Sequence, residues 1–212
     1  MSRPRTISFQ GVLGAYSHQA CAEAFPDHLP LPCNTFEGAV AAVKEGRADL
    51  VMLPVENSTY GRVADIHHLL PDSGLHIRAE HFLRVHINLL GVKGAKLDDV
   101  RVAMSHTVLL GQCRAFLRSH GIERRAGPDT AGSAEIVAKQ GDPAIAALAS
   151  ELAGEIYGLE VLARHIEDQS NNTTRFLAMA PEAGRLPPGE QPADTITSFV
   201  FRVRNIPAAL YK

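Results

Sequence analysis

The feature that most constrains this chain is an internal repeat. "TFEGAVAAVKEGRADLVMLPVE", which begins at Thr35, lies over "TAGSAEIVAKQGDPAIAALASE", which begins at Thr130, at an offset of 95 residues. At that offset Thr35, Ala39, Lys44, Gly46, Leu53 and Glu56 face Thr130, Ala134, Lys139, Gly141, Leu148 and Glu151. The same offset sets the apolar run at 7–9 over 102–104. Each half reads as a strand, a turn, a helix, then a helix capped by Thr and closed by Gly, then a buried strand. Thr before the first helical turn and Gly just past the last are the expected helix punctuation. A unit of this kind used twice predicts two similar α/β lobes with a cleft between them.

The remaining segments fit that plan. "TISFQG" predicts a strand and "AYSHQACAEAF" a helix. "ADLVMLPVE" is a strand and "VADIHHLL" a helix. "HIRAEHFLRVHINLLGV" reads as extended. In the second series "VRVAMS" is a strand, "TVLLGQCRAFLRSHG" a single helix, "PAIAALAS" a strand and "ELAGEIYG" a helix. Such alternation implies βαβ units and parallel sheets. The segments at 75–90 and 165–176 are then the crossings between lobes. Ligands of open α/β sheets sit beyond the carboxyl ends of strands. "QGVLGAYS", "PVENSTYG" and "MSHTVLLGQ" occupy that position, and the crossing that contains "SNNTTRF" becomes a wall of the cleft.

Several chemistries find no support. The net charge of −2 offers no surface for nucleic acid. No apolar run approaches the ~20 residues of a membrane span, and the start "MSRPRTISFQGVLGAYS" has no long apolar core of a secretory signal. The expectation is a soluble, cytoplasmic protein. Cys21, Cys33 and Cys113 are widely spaced and form no CxxC, which disfavours a disulfide framework or a zinc site. His67 and His68 are adjacent and face different ways on a helix. His81 and His86 differ by an odd number and point to opposite faces of a regular strand. No metal is expected. There is no G-x-S-x-G, Walker loop or G-x-G-x-x-G, so no nucleotide cofactor is expected either. Cys113 on a helix reads more readily as a small buried hydrophobe than as a nucleophile.

What remains is a polar set at strand ends: Tyr16 and Ser17; Glu56, Asn57, Ser58 and Thr59; Ser105 and His106; Gln112; Asp129 and Thr130; and residues 171–175. Each has a plain alternative. Asn57 and Ser58 are also suited to start a helix, and Thr130 to cap one. Arg175 stands apart, because a guanidinium beside a cleft binds a carboxylate through two parallel hydrogen bonds. Neutral donors with one Arg suit an anionic small molecule. Beyond Pro181, "PEAGRLPPGEQPAD" reads as a linker, and "TITSFVFRVRN" alternates as a half-buried strand that must dock on the preceding body, on another chain, or on sequence beyond this one.

Five motifs in order make the chain resemble the prephenate dehydratase family over nearly all of 7–180. "FQGVLGAYS" is similar to F/Y-x-G-x-x-G-[TA]-[FY]-S, and "PVENSTYG" to P-[IV]-E-N-[ST]-x-x-G. "SHTVLLGQC" resembles S-H-P-x-x-L-x-Q-C, and "DTAGSA" resembles [DE]-[ST]-[TA]-x-x-A. "YGLEVLARHIEDQSNNTTRF" is similar to Y-G-L-x-x-L-x-x-x-I-x-D-x-x-x-N-x-T-R-F. Leu13 and Thr107 replace common prolines, which alters loop stiffness rather than chemistry.

The resemblance implies a two-lobed α/β fold like type II periplasmic binding proteins, each lobe a mixed or parallel sheet flanked by helices, with the active site in the cleft and no cofactor. It implies a catalytic domain over 1–180, with lobe 1 about 1–78 plus 175–180 and lobe 2 about 79–174. A linker at 181–195 and the first strand and turn of an ACT regulatory domain at 196–212 follow. Pro207-Ala208-Ala209-Leu210 stands where that module has P-G-A-L, so phenylalanine is an expected effector only with a full ACT domain. The implied reaction is the loss of CO2 and hydroxyl from prephenate to give phenylpyruvate, with arogenate dehydration, a solute-binding module and a silent ligand sensor as alternatives. Thr174 is the implied catalytic residue, donating a hydrogen bond to the leaving hydroxyl. Tyr16, Ser17, Glu56, Asn57, Ser58, Ser105, Gln112, Thr130, Arg175 and Phe176 are the implied substrate-binding set, with Arg175 on the carboxylate that is retained. A homodimer or homotetramer without nucleic acid or membrane partners is implied.

Overall fold

The computed structural model describes residues 3–183, so the expected ACT strand and most of the expected linker lie outside the described residues. The first lobe begins with β1 (Thr6–Gln10), α1 (Tyr16–Ala24), β2 (Leu29–Cys33), α2 (Phe36–Lys44) and β3 (Leu50–Asn57). A short return strand β4 (Gly61–Arg62), helix α3 (Ala64–Leu69) and the long strand β5 (His76–Arg84) follow. The second lobe holds β6 (Asn88–Gly91), β7 (Val102–Ser105), α4 (Thr107–Gln112), α5 (Arg114–Ser119) and β8 (Glu123–Ala126). It continues through α6 (Thr130–Gln140), β9 (Ile145–Ala149), α7 (Glu151–Tyr157) and β10 (Glu160–Ala163), and β11 (Thr173–Ala180) returns to the first lobe.

The repeat survives at the level of register. The first sheet runs β2-β1-β3-β11-β5, with β4 on β3, and the second runs β8-β7-β9-β6-β10. Ile7 lies opposite Leu50 in the first sheet, and 95 residues further on Val102 lies opposite Ile145 in the second. In each sheet three parallel strands are joined by an antiparallel fourth, β11 or β6, that the chain delivers from the other lobe or from the crossing. This is a two-lobed α/β architecture, each lobe a mixed sheet flanked by helices. Buried apolar clusters flank both sheets: Val40, Val51, Leu53 and Leu177 in the first lobe, and Leu89, Ala103, Leu117 and Leu148 in the second.

The structure departs from the sequence reading in five places. β5 pairs along β11 as far as Arg84, so strand residues beyond 78 belong to the first sheet. β2, β8 and β10 were not expected. "LPLPC" carries two prolines, and "ERRA" is exposed throughout, so neither shows a strand pattern. "PVENSTYG" ends β3 and turns back through β4 before α3 begins. Thr35 caps α2 as expected, its hydroxyl accepting from Gly38 N–H at 3.0 Å. Thr130 instead forms the first helical residue of α6, and the Asp129 carboxylate is the cap, accepting from Gly132 N–H at 2.6 Å. The predicted single helix over 107–120 is broken at Cys113, whose backbone leaves the helical region. The second crossing causes the break. Asp168 donates its N–H to Gln112 O at 2.7 Å, and its carboxylate accepts from Arg114 and Ala115 N–H at 3.0 and 3.1 Å. A group inserted into the i→i−4 ladder interrupts a helix in this way.

The lobes touch at a third place besides the crossings. The loop after β1 packs on α7, where Ser150 Oγ donates to Gly14 O at 2.6 Å and the Tyr157 hydroxyl donates to Leu13 O at 2.9 Å. Gly14 has a φ of +85°, and a Cβ there would stand 2.8 Å from Ala153 Cα. Both the dihedral and the close approach require glycine.

Candidate active site

β3 and β11 run side by side into the cleft, and register places Thr174 opposite Asn57. The Asn57 amide is the hub of this wall. Its Oδ1 accepts from Thr59 and Tyr60 N–H at 2.9 and 3.0 Å, which folds the turn after β3. Its Nδ2 donates to Asn172 Oδ1 at 2.7 Å and to Thr174 Oγ1 at 2.9 Å. Both amide hydrogens and the carbonyl are thereby engaged, so the orientation of the group is set by its neighbours. Ser58 stitches the same wall, its Oγ donating to Asn171 O at 2.5 Å and accepting from Thr173 N–H at 2.9 Å.

The consequence for Thr174 is specific. It is nearly buried, at 9% exposure, and one lone pair is taken by Asn57. Among the described residues nothing accepts its hydroxyl hydrogen, so the O–H is available to a ligand. An amide donating into that oxygen also polarises the O–H.

The recess in front of this wall is lined by Thr59, Tyr60, Gly111, Gln112, Glu167, Asp168, Gln169 and Asn172. It draws on the β3–β4 turn, the end of α4 and the second crossing. The recess is open to solvent and encloses about 130 Å³. Glu167 is held at its floor. Its Oε1 lies 3.0 Å from His86 Nδ1, and its Oε2 accepts from Ile87 N–H at 2.9 Å. Burial alone would raise this carboxyl, but the Ile87 N–H and His86 outweigh it and hold it below its usual value. Beneath the crossing, the Tyr16 hydroxyl donates to His86 O at 2.9 Å, and burial pushes its phenol well up.

The chain matches the prephenate dehydratase family model over residues 7–184. The chain belongs to the prephenate dehydratase family. It is 47% identical over 212 residues to the bifunctional N-acyl-homoserine lactone acylase/prephenate dehydratase of Komagataeibacter europaeus, covering all of this chain and 75% of that protein. It is 42% identical over 206 residues to chloroplastic arogenate dehydratase/prephenate dehydratase 1 of Arabidopsis thaliana, covering 97% of this chain and 52% of that one. The chain thus spans about half the length of that plant relative. Among solved structures, the prephenate dehydratase of Arthrobacter aurescens in complex with L-Phe is 28% identical, with a TM-score of 0.76 over 90% of this chain and 63% of that one.

Within this family site the candidates separate into groups. Thr174, Asn57, Ser58, Thr59 and Asn172 come together, and Gln112 faces them across the recess. Glu56 lies at the exposed end of β3, opposite Arg175 and Arg62. Arg175 points to the face of β11 away from Thr174. Its Nη2 lies 2.8 Å from Glu80 Oε2, and its guanidinium sits 5.9 Å over the Phe82 ring. Phe176 is 2% exposed and packs with Ile7, Phe9 and Leu83 in the core of the first lobe, where no ligand reaches it. Ser105 is fully buried and its hydroxyl donates to Leu148 O at 2.7 Å, tying β7 to β9. Tyr16 packs against the cores of both lobes and acts as a post under the crossing. Ser17, half-buried in the first turn of α1, and Thr130, at the start of α6, do not line the recess; Asn57 and Thr174 do not line it either but join it through Asn172 and Thr59. Cys113 is fully buried, and burial pushes its thiol far up, so it is the inert reading that holds. Tyr60, Glu167, Asp168 and Gln169 line the recess without having been candidates.

Proposed function

We propose that this cleft catalyses the decarboxylating dehydration of prephenate to phenylpyruvate, CO2 and water. The observation that carries the reading is the Thr174 hydroxyl, which among the described residues has no acceptor for its hydrogen and is fixed by Asn57, the amide that also holds Asn172 of the recess lining. Prephenate carries two carboxylates and a ring hydroxyl. Breaking the bond to one carboxylate sends its electrons into the ring, and the hydroxyl leaves with its bonding pair as the ring becomes aromatic. A positioned donor to that oxygen is worth ~10²–10⁴-fold in rate. Thr174 is that donor. Gln112 and Asn172 orient the substrate from opposite walls, and Asn57 holds Thr174 rather than the ligand. Arg175 reaches a carboxylate only by leaving Glu80, so its main work is to tie β11 to β5 at the lip of the cleft.

The test is direct. The protein is mixed with prephenate or with arogenate, and phenylpyruvate and phenylalanine are followed. Product from prephenate is the expected result, and product from neither rejects the enzyme reading. Arogenate is included because the Arabidopsis relative is named for both substrates. The Komagataeibacter relative is named also as an N-acyl-homoserine lactone acylase, so release of homoserine lactone from that substrate is a third arm. The L-Phe complex of the Arthrobacter relative supports phenylalanine as an effector of an ACT module beginning near residue 196, which added phenylalanine tests in the same assay. The cytoplasmic reading rests on three unpaired cysteines.

A further inference from the structure

The proposed reaction consumes a proton. Prephenate dianion and H⁺ become phenylpyruvate monoanion, CO2 and water, the departing hydroxide taking the proton as its C–O bond breaks. Thr174 orients that oxygen but is far too weak an acid to be the net source. The source must connect to the recess and be recharged by solvent.

One linked pair has both properties. Glu167 lines the recess, with its side chain only 6% exposed. Its Oε1 is 3.0 Å from Nδ1 of His86, whose side chain is 41% exposed. Among the described residues Nε2 of His86 has no protein partner, so that nitrogen faces solvent while Nδ1 faces the carboxylate. The residue is held at two further points. The His165 ring stacks on it at 3.9 Å between centroids, and Tyr16 holds its backbone carbonyl. We propose that Glu167 and His86 form the proton relay of this site. His86 takes a proton from solvent at Nε2, and its Nδ1–H passes to Glu167 Oε1. The transiently protonated Glu167 then delivers the proton to the leaving oxygen beside Thr174. Glu167 is the catalytic member, and His86 is a positioning residue that acts through it. A carboxyl held low by its hydrogen bonds is a strong acid at the moment it carries the proton. The other charged or titratable groups around the pair are Tyr16 from α1, Cys113 between α4 and α5, Asp168 on the crossing, and His165 with the Glu151–Arg164 ion pair beyond it.

The inference rests on the dehydratase reading, and its test separates the two. On prephenate, wild-type kcat is expected to fall as rising pH removes the proton from the relay, with a normal solvent deuterium isotope effect. His86→Gln and Glu167→Gln are each expected to lose ~10²-fold or more in kcat, to lose that descending limb, and to change KM little. Added imidazole is expected to restore turnover in His86→Ala. A wild-type profile that does not fall with rising pH, no solvent isotope effect, or a His86→Gln variant that keeps both kcat and the limb overturns the relay while leaving the dehydratase reading intact. No turnover by wild type on either ring substrate removes both. The wild-type profile and isotope effect decide the matter even if a variant fails to fold.

Discussion

The two lobes carry the same strand order and the same 95-residue register, yet their fourth strands are used differently. β11 enters the first sheet through Thr173 and Thr174, and the hydroxyl of Thr174 meets Asn57 at the cleft edge. β6 enters the second sheet through "NLLG", buried along its whole length, and the one polar side chain, Asn88, accepts the backbone N–H of His165 at 3.3 Å. A duplicated scaffold supplies two equivalent entrances to the cleft. Which entrance does chemistry depends on the few residues where the strand begins.

Substitutions that strike one side of this comparison test it. The largest effect is expected at Thr174. Thr174→Ala should lose ~10²–10⁴-fold in turnover while its melting temperature stays near wild type, and near-normal turnover would sink the role. Phe176→Ala, two residues along the same strand, should do the reverse. It should lose ~3–5 kcal/mol of stability in denaturant titration, as large core truncations do, with substrate affinity of the folded fraction unchanged. Asn88→Ala, at the silent entrance, should cost about 1 kcal/mol for one lost, part-buried hydrogen bond and spare turnover per folded molecule. Arg175→Ala sharpens the contrast within β11. Its ion pair with Glu80 is part-exposed, at 31% for each side chain, so about 1 kcal/mol or less is at stake. KM should rise only a few-fold, whereas a hundred-fold rise would return Arg175 to the substrate carboxylate. The smallest effect concerns acid. The folded-state value of Glu167 lies below its ordinary 4.5, so its contribution to stability is complete above that pH and fades as pH falls through the lowered value. Glu167→Gln should therefore flatten the acid limb of a stability–pH curve, and an unchanged limb would show that the carboxylate is not what His86 and Ile87 hold.

The repeat, the βαβ alternation and the two crossings were legible in the sequence, because apolar period and helix caps are local signals. So was the polar wall at "SNNTTRF" and its partner "PVENS". The alternation of a strand also puts Thr174 and Arg175 on opposite faces, a signal passed over when Arg175 was assigned to the cleft. Phe176 and Ser105 sit in the cores of the lobes for another reason. A motif marks which residues matter but not whether they touch ligand or hold the strands that do. Asp168 could not have been foreseen to break a helix 55 residues earlier, since its effect exists only once the crossing lies against Cys113. Glu167 gave no signal of its own, and its role depends on His86 arriving from the other crossing.

The packing of the loop after β1 onto α7 has a mechanical consequence. Two adjacent strands passing between bodies define an axis about which those bodies can swing. The third attachment, at Gly14, Ser150 and Tyr157, springs from β1, which is two strand positions from β11 and so roughly 10 Å along the sheet. Three points that do not share a line fix one rigid body against another. Swinging about that axis is thereby opposed by the bonds at Gly14 and Leu13, and the recess lies between bodies held at three places.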